Sequence, residues 1–165
     1  MRFGPTARIV TAVAILFAAC GSDGAPTEAV AGLVAHYELD GDGTDAMGVS
    51  SGTLVGGKPV PDRSGAAGSA LSFSAGNYIE VPHSDALSLS QDFTIAAWIK
   101  PSAGAAPGAF STIFEKSDPE RGGHSRYGLW LQDGRLSACF EAADNSRQPC
   151  ATSSQTLALD TWQHV

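Results

Sequence analysis

The chain has 165 residues, 10 basic and 17 acidic side chains, and a formal charge of −7 at pH 7. Such an acidic surface repels nucleic acid, which proteins hold chiefly through its phosphates, so a nucleic-acid partner is excluded. Only 16% of the residues are charged and 19 are glycine, a balance that favours turns and pleated surfaces over charged helix faces.

The first element is an export leader over residues 1–19. Arg2 and Arg8 lie in a head without acidic residues, and the run from Ile9 to Cys20 is apolar apart from Thr11. That run is about half of the roughly 20 residues a bilayer-spanning helix needs, so it suits a secretory core better than a membrane anchor. Without residues 1–19 the chain keeps eight basic and 17 acidic side chains, a formal charge of −9. Everything after Cys20 is therefore expected to work outside the cytoplasm.

Ala18-Ala19-Cys20 resembles the lipobox of bacterial lipoproteins, which implies that Cys20 becomes the lipidated first residue of the mature protein. Phe17 departs from the leucine usual three places before that cysteine, although Leu16 is one position away. The alternative is an ordinary leader cut near Ala19, leaving a soluble protein. Acyl chains would anchor the chain by burying methylenes, at about 0.8 kcal/mol each. With Cys20, the segment Gly21-Ser-Asp-Gly-Ala-Pro-Thr-Glu-Ala-Val-Ala31 has no apolar periodicity and reads as a flexible tether. Gly21 is not the aspartate linked to inner-membrane retention, which points to the outer membrane or cell surface.

Residues 32–165 leave about 135 residues, enough for one domain with its own core. Short alternating segments recur: Leu33–Leu39, with His36 and Glu38 pointing away from the apolar face, then Tyr78–Val81, Phe93–Lys100, Thr112–Lys116, Tyr127–Gln132 and Leu136–Glu141. These predict strands of half-buried antiparallel sheets. Asp133-Gly134 supplies the positive φ angles of a two-residue hairpin between two of them. No long capped helical period occurs, so the chain reads as an all-β sandwich or barrel.

Five runs taken in order resemble the LamG-like jellyroll domain: Ala70-Leu-Ser-Phe73, Asn77–Val81, Phe93–Pro101, Tyr127–Leu131 and Trp162-Gln-His-Val165. The resemblance covers residues 32–165. It implies a concanavalin A-like jellyroll sandwich of two curved antiparallel sheets. Phe73-Ser-Ala-Gly76 departs from the Phe-Asp-Gly common in that family, so an acidic ligand some relatives place there is missing. The family also implies further strands beyond Val165, and the expectation is a jellyroll lacking its C-terminal strands or, alternatively, a short variant that pairs its last strand with a partner.

Cys139 and Cys150 are a cysteine pair in an exported domain, and they predict a disulfide closing the hairpin between them. Relatives that carry a disulfide support this; two buried or free thiols are the alternative. Asp40, Asp42 and Asp45 offer carboxylates on a glycine-bent loop suited to Ca²⁺. The segment is not an EF-hand, since Ser51 stands where the closing glutamate would be, and a solvated turn is an equally good reading.

Glycosidases of such sandwiches need two carboxylates facing one cleft, and no strand here alternates acidic residues. Glu115, Asp118 and Glu120 read as a loop around Pro119, while Glu80 and Glu141 read as isolated, solvated residues. His36, His83, His124 and His164 lack a catalytic context. The chain is therefore expected not to be an enzyme. Trp98 and Trp130 lie opposite the main apolar stripe of their strands and are candidate platforms for a sugar ring, with packing inside the sandwich as the alternative. The sequence thus predicts an extracytoplasmic carbohydrate- or protein-binding module on a bacterial envelope lipoprotein. The alternatives are a structural spacer, or an accessory domain of a glycoside hydrolase.

Overall fold

The computed structural model describes residues 7–9, 13–14, 32–89, 92–102, 110–118, 124–141 and 149–165. Cys20 and the tether lie outside them. The all-β expectation is met. The strands are β1 (Ala7–Ile9), β2 (Val13–Ala14), β3 (Thr53–Val55), β4 (Lys58–Val60), β5 (Ala70–Ser72), β6 (Tyr78–Val81), β7 (Trp98–Ile99), β8 (Phe110–Asp118), β9 (His124–Gln132), β10 (Arg135–Phe140), β11 (Cys150–Thr156) and β12 (Gln163–His164). One 3-10 turn, Asp85–Leu87, accompanies them among the described residues. All pairings are antiparallel and build a seven-stranded sheet β11-β10-β9-β8-β1-β6-β3, a three-stranded sheet β12-β7-β2 and the pair β4-β5.

Alternation decides which side chains enter the core. In β6, Ile79 and Val81 are fully buried whereas Tyr78 and Glu80 are half-buried. In β8 the register shifts between Thr112 and Phe114, and this bulge lets two successive residues, Ile113 and Phe114, both be buried. β9 departs from the half-buried expectation, because Tyr127, Gly128, Leu129 and Trp130 are all buried. A central strand covered on both faces needs room on the second face, and Gly128 provides it: a Cβ there would stand 2.5 Å from the Trp130 indole.

The predicted hairpin is present, with Asp133 and Gly134 at φ 50° and 74° between β9 and β10. Two other predicted strands are less regular. Leu33–Leu39 buries Tyr37 and Leu39 and exposes Glu38 as expected, but its ladder is one isolated bridge, Tyr37 to Asp45. Leu39 then takes φ 61°, which turns the chain before a ladder can extend. Within Phe93–Lys100 only Trp98–Ile99 is laddered, between β2 and β12, and Ala97 exchanges two backbone hydrogen bonds with Val165.

The core joins the sheets through Tyr37, Leu71, Ile79, Ile99, Phe114 and Tyr127, among others. The Tyr127 hydroxyl donates to the Leu87 carbonyl at 2.6 Å, which docks the 3-10 turn on β9. Burial pushes that phenol up to about 12.

Candidate functional site

The aromatic site forms around Trp98. Its strand buries Ala97 and Ile99 on the core side and leaves the indole half-buried on the other. His164 is its cross-strand neighbour, with ring centroids 5.2 Å apart. Arg63 comes from the loop between β4 and β5, its guanidinium 4.9 Å from the indole centroid. That loop is shaped by Asp62, whose Oδ1 accepts from Ser64 N (2.8 Å), Ser64 Oγ (2.7 Å) and Ala66 N (2.9 Å). The Ser64 hydroxyl bond leads the effects that hold the Asp62 carboxyl below its ordinary range. An indole with a guanidinium over its ring and a tilted imidazole beside it offers an apolar surface and hydrogen-bond donors together. Sequence reasoning found Trp98 and missed Arg63 and His164, which lie 35 residues before and 66 after it.

Trp130 is placed differently. Its side chain is 5% exposed, lies over Gly128 and meets the Phe110 ring at 6.0 Å. The two tryptophans therefore do not form one platform: Trp98 belongs to the three-stranded sheet, and Trp130 is packed into the seven-stranded one.

The three aspartates also part company. Asp45 is 2% exposed, and its carboxylate accepts four backbone N–H groups: His36 (2.8 Å) and Met47 (3.0 Å) at Oδ1, Val49 (3.1 Å) and Ser50 (2.9 Å) at Oδ2. Burial works to raise its pKa, but these donors together prevail and hold the carboxyl below its ordinary 3.8. Both oxygens are thus engaged in closing the loop. Asp42 accepts from Thr44 N at 2.8 Å in a local turn. Asp40 is exposed; partial burial, then the neighbouring Glu38, Asp62 and Asp42, raise its pKa. Among the described residues no group of three or more His, Cys, Asp or Glu is arranged around a metal position, and Asp45 does not fit as a shared Ca²⁺ ligand because backbone donors fill its oxygens. At Phe73-Ser-Ala-Gly76 the turn is closed by Asn77, whose Oδ1 accepts from Ser74 N and Oγ.

Cys139 and Cys150 form the predicted disulfide, with an S–S distance of 2.04 Å, at directly paired positions of β10 and β11. The carboxylates differ from the sequence reading in three places. Asp118 lies within β8 and not in a loop, whereas Glu115 falls in the part of β8 predicted as the strand Thr112–Lys116. Glu80 is half-buried, in register with position 8 of β1, whose other partner is Glu115. Glu141 is mostly covered, its side chain 14% exposed and 3.9 Å from Arg126. The fold also makes a contact that spacing did not reveal: buried Lys116 brings Nζ to 3.1 Å from His83 Nδ1, and His83 Nε2 stands 3.4 Å from Asp85.

An apolar groove of ≈ 220 Å³ runs between Leu33, Ala35, Phe93, Ile95, Phe114 and Tyr127. A second hollow of ≈ 360 Å³ shares Phe93 and Ile95 and continues over Leu129 to Phe140.

Residues 73–165 match the family model described as the concanavalin A-like lectin/glucanases superfamily. No curated protein and no solved structure matches the chain.

Proposed function

The chain belongs to the concanavalin A-like lectin/glucanases superfamily, and from that premise we propose that this binding or structural module is an extracytoplasmic, non-catalytic recognition domain of a bacterial envelope lipoprotein, taking a glycan at Trp98. The observation that carries the glycan reading is the half-buried indole with Arg63 at 4.9 Å and His164 at 5.2 Å. A sugar places its C–H face on an aromatic surface and its hydroxyls on nearby donors, and this group supplies both. The Cys139–Cys150 bond supports work in an oxidising compartment. The non-catalytic reading rests on the sequence, in which no strand alternates acidic residues.

The test is a glycan array probed with the full chain, with and without chelator, beside Trp98→Ala and Arg63→Ala. A hit weakened at least tenfold by Trp98→Ala and several-fold by Arg63→Ala supports the proposal. A hit that is indifferent to both substitutions moves the site elsewhere, and silence across the array leaves a spacer as the better account. Loss of a hit with chelator would bring a metal into the site.

A further inference from the structure

We infer, resting on the glycan reading above, that the Arg63–Trp98 contact is a latch, and that it makes the Trp98 site selective for a glycan carrying one isolated carboxylate, as at a terminal uronic acid. The guanidinium lies over the indole itself, 4.9 Å from the ring centroid. The His164 imidazole, tilted 49° to the indole, takes up another part of its surface. Arg63 is exposed, so the ring is reached from solvent on the Arg63 side. A sugar that stacks there has to take the place of the guanidinium, and what the displaced cation meets next decides which sugar enters.

The latch can open because little else holds it. Among the described residues no hydrogen bond or ion pair reaches the Arg63 guanidinium besides its contact with the indole. Its neighbour Asp62 turns inward, with Oδ1 accepting from Ser64 N, Ser64 Oγ and Ala66 N. Two backbone bonds close the same loop, Asp62 N to the Ala66 carbonyl and Gly65 N to the Asp62 carbonyl, both 3.1 Å. The loop therefore fixes where Arg63 starts, and its long side chain can swing from that point.

The two kinds of sugar fare differently once the guanidinium has moved. A neutral sugar offers it hydroxyls alone, so the attraction to the ring is exchanged for bonds that water supplies as well. A carboxylate offers two parallel charge-assisted bonds to the planar fork, and the acidic sugar gains at the step where the neutral one loses. The surroundings limit how much charge the ligand carries. Glu38, Asp42 and Asp62 stand close enough to Asp40 to raise its pKa, and Asp62 adjoins Arg63 in the chain. That field repels a polyanion, whereas one carboxylate held against a guanidinium is attracted at contact distance. The class selected is a single carboxylate on an otherwise neutral glycan.

The test is a glycan array of matched pairs, each oligosaccharide ending in a uronic acid beside the same one ending in the corresponding neutral sugar, probed with the full protein. The parent should bind the acidic member of a pair about fivefold or more tightly than the neutral one. Arg63→Ala should weaken the acidic member several-fold and leave the neutral one as tight or tighter, so that the two differ by no more than about twofold. Arg63→Lys keeps the charge and loses the fork, and its preference should fall between. Arg63 is exposed, so these variants should keep the parent melting temperature, which separates lost selectivity from lost fold. Equal binding of both members by the parent, a preference that survives Arg63→Ala, or equal weakening of both members by Arg63→Ala overturns the inference. In each of those cases the glycan reading stands as long as Trp98→Ala abolishes the hits. Hits confined to polysulfated oligosaccharides overturn the single-carboxylate class. No hit in any pair sinks the glycan reading and the selectivity with it.

Discussion

The β8–β11 meander and the loops of residues 37–52 are both ordered, and they are ordered by opposite means. In the meander, three successive ladders share the task, reinforced by Cys139–Cys150. In residues 37–52 the backbone contributes two isolated bridges, Tyr37 to Asp45 and Gly43 to Gly52. The Asp45 carboxylate, with four backbone N–H groups converging on it, is the main hub, and the buried Tyr37 hydroxyl adds a bond to the Ser50 carbonyl at 2.6 Å. A ladder spreads stability over many small bonds, whereas a side-chain hub concentrates it in one residue. The first therefore tolerates single losses better than the second.

The sharpest way to break this contrast is Asp45→Ala. It should cost about 3–4 kcal/mol in urea unfolding, because a buried charge-assisted network loses its acceptor and leaves its donors without one. A variant within 1 kcal/mol of the parent would show that water replaces the carboxylate. The same residue sets a pH dependence. Its folded pKa lies below the ordinary 3.8, so its contribution is present above pH 3.8 and is lost as pH falls through the depressed value. Asp45→Asn should flatten that acid limb, which unfolding at a series of pH values would read.

Next in size is the bridge of the meander. Cys139→Ser with Cys150→Ser opens a loop with a sequence separation of 11 and should lower stability by about 2–3 kcal/mol in the chain-entropy account. The ladders should keep β10 and β11 paired, so the amides of Ala138 and Ala151 should stay slow in hydrogen exchange. Their rapid exchange would mean that the disulfide and not the ladder holds that edge.

The smallest expected effect sharpens the comparison inside the loops. Asp40 has a raised pKa, so its part in stability grows as pH falls through that value toward 3.8, the reverse of Asp45. Asp40→Asn should stabilise the protein at pH 7 by no more than about 0.5 kcal/mol, since solvent screens an exposed carboxylate. A loss of stability instead would mean that Asp40 has a favourable partner, and calorimetry at pH 4 and pH 7 would show it.

The same contrast explains what could be read from the sequence. The meander was legible because alternation and an Asp-Gly turn are local signals, and both appear where expected. The disulfide followed from two cysteines in a short span. The Asp45 hub was not legible: its spacing from Asp40 and Asp42 resembles a ligand set, and only the folded path shows backbone donors converging on it. Asp118 was misplaced because Pro119 and two glycines mark a turn, yet a turn signal does not say how far the preceding strand runs. Arg63 and His164 escaped because pairings remote in sequence leave no period to detect. Trp130 faces away from the inner stripe of β9 as its parity requires, but parity is silent on whether a second layer covers that face.

That cover gives the molecule a spectroscopic label of its own. An indole sealed from water emits at shorter wavelength than a wet one, and of the three tryptophans Trp130 is sealed whereas Trp98 and Trp162 are partly exposed. Emission at the blue edge therefore reports the meander through β9, and with Trp98→Phe and Trp162→Phe it reports little else. The red shift of Trp130 during unfolding then times the opening of the ladder region, while the far-ultraviolet signal follows the whole chain.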